Sequence, residues 1–66
     1  MENTIRVERA KKHITQADLA EKESGSRQTI HAIETGKFVP STVLALKIAR
    51  FFKVKIEDIF TLEEND

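Results

Sequence analysis

The sequence predicts an all-α fold of five short helices, and three features carry that prediction. Apolar residues recur at helical rather than strand spacing, most fully at Leu44, Ile48 and Phe52 with Ala45 and Ala49. Hydroxyl residues stand where helix starts want them, at Thr4, Thr15 and Ser26. Only Gly25, Gly36 and Pro40 interrupt the chain, which leaves room for short helices and short turns. At 66 residues the chain makes one domain, and one this small buries roughly 60% of the surface its unfolded form exposes.

Thr4 is placed to cap a first helix running to about His13, with Ile5 and the aliphatic stem of Arg9 on one face. Thr15 caps a second, with Asp18 at its third position completing a capping box, Leu19 and Ala20 facing inward, and an end near Glu23. Ser26 caps a third from Arg27 to Thr35, stopped by Gly36; Ile30 and Ile33 share one face while Arg27, Gln28 and His31 project from the other. Pro40-Ser41 opens the fourth and most amphipathic helix. Ile56 to Phe60 forms a fifth, folding Ile59 and Phe60 back on the core, and an acidic tail follows from about residue 61.

Composition excludes several function classes. No cysteine is present, so neither disulfides nor thiolate metal sites can brace the core, and association is the remaining aid to stability. No stretch of about 18 apolar residues exists, and Met1 leads into Glu2-Asn3-Thr4; a cytoplasmic protein is expected. His13 and His31 lie far apart without carboxylate or cysteine partners, so neither is assigned a catalytic or metal-binding role. The formal net charge of zero hides an asymmetry: residues 1 to 56 carry eleven Lys/Arg against six Asp/Glu, while residues 57 to 66 carry five acids and no base. A partner with phosphate charge would have to meet the basic body and avoid the tail.

Chemistry concentrates between Gln16 and Ile33. Counted from Gln16, a small residue falls at the fifth place (Ala20), a turn glycine at the tenth (Gly25), and β-branched residues at the fifteenth and eighteenth (Ile30, Ile33). Two helices crossing steeply need this pattern, because Ala20 permits close approach while the isoleucines fill the angle. The spacing fits a helix-turn-helix over about residues 16–35. In such a pair the second helix offers its first residues to base edges, where Gln can bond adenine and Arg guanine through two hydrogen bonds; Arg27 and Gln28 stand at that point.

From Ile5 to Phe60 the chain resembles the Cro and phage-repressor type of helix-turn-helix regulator, also called the xenobiotic-response-element family. The resemblance is carried by Ile5-Arg6, Arg9, Thr15-Gln16, Leu19-Ala20-Glu21-Lys22, Ser26-Arg27-Gln28-Thr29-Ile30, Ile33-Glu34-Thr35-Gly36-Lys37, Pro40-Ser41, Leu44 to Ala49 and Ile56 to Phe60. It implies a five-helix, lambda-repressor-like fold that binds double-stranded DNA and needs neither cofactor nor enzyme chemistry. It implies that Arg27, Gln28, Thr29, His31 and Ala32 face the bases, that Gln16, Ser26 and Lys37 meet phosphates, and that Arg9 and Glu34 form a partly buried ion pair.

The chain also departs from that family. Glu8 and Glu23 stand where leucine is common, Ser24 where the turn glycine is usual, and Gly25 where an apolar residue normally plugs the turn. Each glutamate must therefore reach solvent or a basic partner. Val7 and Val43 occupy usually polar positions, and a slight helix rotation would bring them inward. Phe51 and Phe52 are adjacent and cannot both share the buried face, so Phe51, with Phe38, Val39 and Val54, is expected to form an exposed apolar surface. Phe51, Val54 and Phe60 are the expected contacts of a homodimer that would set two third helices about 34 Å apart, one DNA turn, on a pseudo-palindromic operator.

These features together predict a sequence-specific repressor-type regulator with no evident small-molecule effector. Two alternatives stay open: an antitoxin-like module that uses the same fold to bind a protein, and an enzyme subunit working through His13 or His31.

Overall fold

Among the described residues, five helices, each supplying at least one fully buried aliphatic side chain, meet at one core. The computed structural model describes residues 1–23 and 25–66. Among these, the order is β1 (Glu2–Asn3), α1 (Ile5–Lys12), α2 (Gln16–Lys22), α3 (Arg27–Glu34), α4 (Thr42–Phe52), α5 (Ile56–Ile59) and β2 (Phe60–Thr61). Ile5, Leu19, Ile30, Ile33, Ile48 and Ile59 are sealed from solvent, and Ala20, Ala45 and Ala49 lie where the helices approach closely. No helix among the described residues is long and apolar enough to cross a membrane.

The helix starts show how local chemistry sets the frame. Thr15 and Asp18 form a reciprocal capping box, with the Asp18 N–H donating to the Thr15 hydroxyl at 3.0 Å and the Thr15 N–H to the Asp18 carboxylate at 2.9 Å. Ser26 accepts from the Thr29 N–H at 3.1 Å, and Ser41 from the Leu44 N–H at 3.1 Å. Thr4 behaves differently from expectation, because its hydroxyl makes no cap bond. The Asn3 side chain does that work: its oxygen accepts from the Ile5 N–H at 3.2 Å, while its amide nitrogen donates to the Ile33 carbonyl at 2.8 Å. One residue thus begins α1 and braces α3.

Gly36 (φ +79°) terminates α3 in the left-handed region that favours glycine, where the Lys37 N–H returns to the Ala32 carbonyl at 2.9 Å. Gly25 is not in that region, and a methyl group there would lie 3.9 Å from Ile30 Cδ1, an ordinary contact. Ser24, the residue expected to distort this turn, lies outside the described residues.

Four expectations about the surface are corrected. Phe60 leaves the fifth helix in extended conformation (φ −118°, ψ 134°), and β2 pairs antiparallel with β1, Asn3 opposite Phe60 and Glu2 opposite Thr61. Ile59, the last residue of α5, and Phe60, the first of β2, are both buried. Phe51 is half-buried, edge-on to Phe52 with ring centroids 5.0 Å apart and with the Lys12 ammonium 5.9 Å above its ring. Val54 is turned back onto the core after Lys53, whose φ of 57° ends α4. Phe51 and Val54 are therefore packed against the core rather than part of an exposed apolar surface, and Phe60 is buried within it. Val7 and Val43, expected to rotate inward, remain 53% and 62% exposed, because α1 and α4 already fill the core with Ile5 and with Ile48, Ala45 and Ala49. The exposed large apolar residues are these two valines together with Phe38, Val39, Leu46 and Leu62.

Both departing glutamates are half-buried rather than free in solvent. Glu8 lies 3.3 Å from the Lys11 ammonium, and Glu23 sits at the carboxyl end of α2. Residues 62–66 are exposed, yet the Asp66 carboxylate accepts from the Glu63 N–H at 2.8 Å, and Asp66 and Glu63 each lie 3.1 Å from the Met1 amino group.

Candidate nucleic-acid interface

The helix pair α2 and α3 is set by Leu19 and Ala20 on one side and Ile30 and Ile33 on the other, all buried. With Ile30 and Ile33 committed inward, the 3.6-residue period turns Arg27, Gln28 and His31 to solvent, and all three are exposed. Thr29 and Ala32 are half-buried at the margin of that face. Ser26 is exposed, but its hydroxyl is occupied: besides accepting the Thr29 N–H, it lies 2.9 Å from the Thr29 hydroxyl. The Ala32 carbonyl is engaged too, accepting from the N–H groups of Lys37 and Phe38 and from the Thr35 hydroxyl. Lys37 follows Gly36 with its side chain exposed.

A polar network joins this face to the rest of the domain. Arg9 grips Glu34 with two nitrogens, Nε at 2.7 Å from Oε2 and Nη2 at 3.0 Å from Oε1, and its Nη1 donates to the Ile14 carbonyl at 3.1 Å. The Glu34 side chain is 7% exposed and that of Arg9 16%. The bond to Glu34 raises the Arg9 pKa above its already high ordinary value. Gln16, at the start of α2, spans from Glu34 to His31, with its amide nitrogen 3.3 Å from Glu34 Oε1 and 3.3 Å from His31 Nδ1. Nearby, the Thr15 backbone N–H, and after it the Thr15 hydroxyl, hold the Asp18 carboxyl below its ordinary pKa.

The structure therefore brings Gln16, His31, Glu34 and Arg9 together, whereas Arg27 and Gln28 project as separate exposed side chains. Arg6 and Thr35 complete the lining of the concavity around the four. The sequence reading gives Arg6 no role; its position three residues before Arg9 on one helix is the signal that places it here. Among the described residues Arg6 has no ion-pair partner, which leaves a positive charge at the mouth of this cleft.

Five helices packed this way, with α2 and α3 in contact across Leu19, Ala20, Ile30 and Ile33 and α3 offering one polar face, define a helix-turn-helix domain. The family model HTH_3, helix-turn-helix, matches residues 5–59, and the chain belongs to that family. It is 56% identical over 66 residues to the HTH-type transcriptional regulator MJ0272 of Methanocaldococcus jannaschii, with all of both chains covered. It is 46% identical to the HTH-type transcriptional regulator YgzD of Bacillus subtilis, again over the full length of both. An HTH-type transcriptional regulator of Archaeoglobus fulgidus is 47% identical, matched over all of this chain and 93% of the relative.

Proposed function

We propose that the chain is a DNA-binding transcriptional regulator that occupies a pseudo-palindromic operator as a homodimer and represses by doing so. The observation that carries this reading is the division of α3 into a buried face, Ile30 and Ile33, and an exposed face bearing Arg27, Gln28 and His31. A helix held by α2 on one side and presenting bidentate donors on the other has the shape and chemistry to enter a major groove. Membership of the helix-turn-helix family, and relatives named as transcriptional regulators, support the same reading. Arg27 and Gln28 read base edges and Lys37 meets a phosphate, while the Gln16 amide nitrogen is turned inward to Glu34 and His31.

The dimer face in this proposal is a concavity lined by Met1, Ile56, Glu57, Phe60 and Leu62, in place of the Phe51 and Val54 surface. Leu62 is 78% exposed there, which favours a covered state. The adjoining strand pair is tied to the carboxyl end of α3 through the Asn3 bond to Ile33. Two copies joined at this face hold their α3 helices in a fixed relation, as a two-fold operator requires.

Selection of bound duplexes from a random pool tests the reading. Enrichment of an inverted repeat with half-sites about 10 base pairs apart is expected; enrichment of no sequence would overturn it.

A further inference from the structure

The contacts around Gln16 govern what His31 can offer to DNA in the DNA-reading role proposed above. A carboxylate accepts hydrogen bonds and donates none, so Glu34 determines which end of the Gln16 amide turns inward: the nitrogen. Arg9 clamps Glu34 through both carboxylate oxygens, so that choice is made in a fixed frame. The amide nitrogen has N–H bonds to give and nothing to accept with. His31 Nδ1, 3.3 Å from that nitrogen, must be the unprotonated, accepting atom of the ring. The ring proton is left on Nε2.

We infer that His31 is a specificity-determining residue that presents one Nε2–H donor to the base edges, and that Gln16, Glu34 and Arg9 are positioning residues that set its tautomer. His31 is exposed and lies three and four residues beyond Gln28 and Arg27, on the same face of α3. In the major groove, guanine offers N7 and O6, adenine N7 and thymine O4 as acceptors, whereas cytosine offers only its N4 donor. A single fixed donor is satisfied by the first three and opposed by the fourth. One position in each half-site therefore excludes cytosine while tolerating the other three bases, a pattern distinct from the one-base preference expected of Arg27.

Two measurements test this. Base selection with the wild-type chain is expected to show one cytosine-depleted position per half-site, with cytosine there weakening binding about five- to tenfold. His31→Ala, an exposed change that leaves the fold intact, is expected to abolish that depletion and retain the Arg27-dependent positions. Even loss of affinity across all sequences, or an unchanged base profile, would overturn the assignment of His31 while sparing the DNA-reading proposal. Absence of any enriched sequence with the wild-type chain would sink both. Independently of DNA, long-range proton–nitrogen spectra of the ring should show Nε2–H in the wild type at pH 8. In Gln16→Glu, where a carboxylate now faces Nδ1, they should show Nδ1–H. Identical ring spectra in the two proteins, with the variant shown folded by its melting curve, would overturn the positioning role.

Discussion

Arg9 and Glu34, 25 residues apart in sequence, form a two-point clasp in which each carboxylate oxygen takes one guanidinium nitrogen. The clasp binds α1 to the last turn of α3, and Glu34 keeps a further bond for Gln16. Removing one partner strands a charge whose surroundings are mostly dry. Glu34→Ala or Arg9→Met is expected to lower unfolding free energy by about 3 kcal/mol. The double variant Arg9→Met/Glu34→Leu should recover most of that deficit. Urea unfolding of the three proteins measures both.

Acid should weaken the domain through Asp18. Its carboxyl titrates below the ordinary value because the Thr15 backbone N–H and hydroxyl hold it ionised. A folded-state pKa below the unfolded one gives stability that is fully present above about pH 4, the ordinary Asp value, and lost as pH falls through the folded value. Asp66 shifts in the same direction, chiefly through the Glu63 backbone N–H. Melting temperature followed from pH 7 to pH 2 should fall at the acid end, and Asp18→Asn should flatten that fall.

The α2–α3 turn is open to improvement. Because Gly25 avoids the left-handed region and a methyl group would find Ile30 at van der Waals distance, Gly25→Ala is expected to stabilise by about 0.4 to 1 kcal/mol. Gly36→Ala should do the reverse by about 1 kcal/mol, since φ +79° penalises any Cβ. Paired melts in one buffer check the sign of each.

Base reading and phosphate neutralisation separate by salt. Arg27→Ala should relax base preference at one position of the selected site. Lys37→Ala should weaken all sequences alike and reduce the slope of log affinity against log salt by about 0.9 for the one phosphate left without its lysine. Titrations at several salt concentrations distinguish the two.

Association should depend on the concavity near α5. Leu62→Asp is expected to yield monomers in sedimentation with the helical content unchanged, because Leu62 is 78% exposed and outside the core. Val43→Asp, an exposed position on α4 outside that concavity, should leave the proposed association unchanged.

Much of this architecture is legible in the residues themselves. Ser26, Thr15 with Asp18, and Gly36 mark their helix ends through local chemistry that needs no partner from elsewhere in the chain. The spacing from Gln16 to Ile33 likewise marks the buried residues that join α2 to α3. What escapes a reading of the sequence is non-local. That Asn3 rather than Thr4 begins α1 depends on the Ile33 carbonyl 30 residues away. That Phe60 is extended depends on Asn3 lying opposite it. The burial of Phe51 depends on Phe52 and on Lys12 from another helix, and the turn of Gln16 toward Glu34 depends on Arg9. A helical period records which side of a helix faces inward and is silent on which distant residue waits there.

The pairing of Glu2 with Thr61 carries a consequence for synthesis in the cell. The two strands come from opposite extremes of the described residues, so a polypeptide still being translated has the whole of its helix pair long before it has the second strand. Until residue 61 clears the ribosome, Asn3 has no opposing strand, and the surface proposed to gather a second copy does not exist. In the proposed dimer, the face on which two copies meet is complete only once Phe60 and Leu62 have joined the domain.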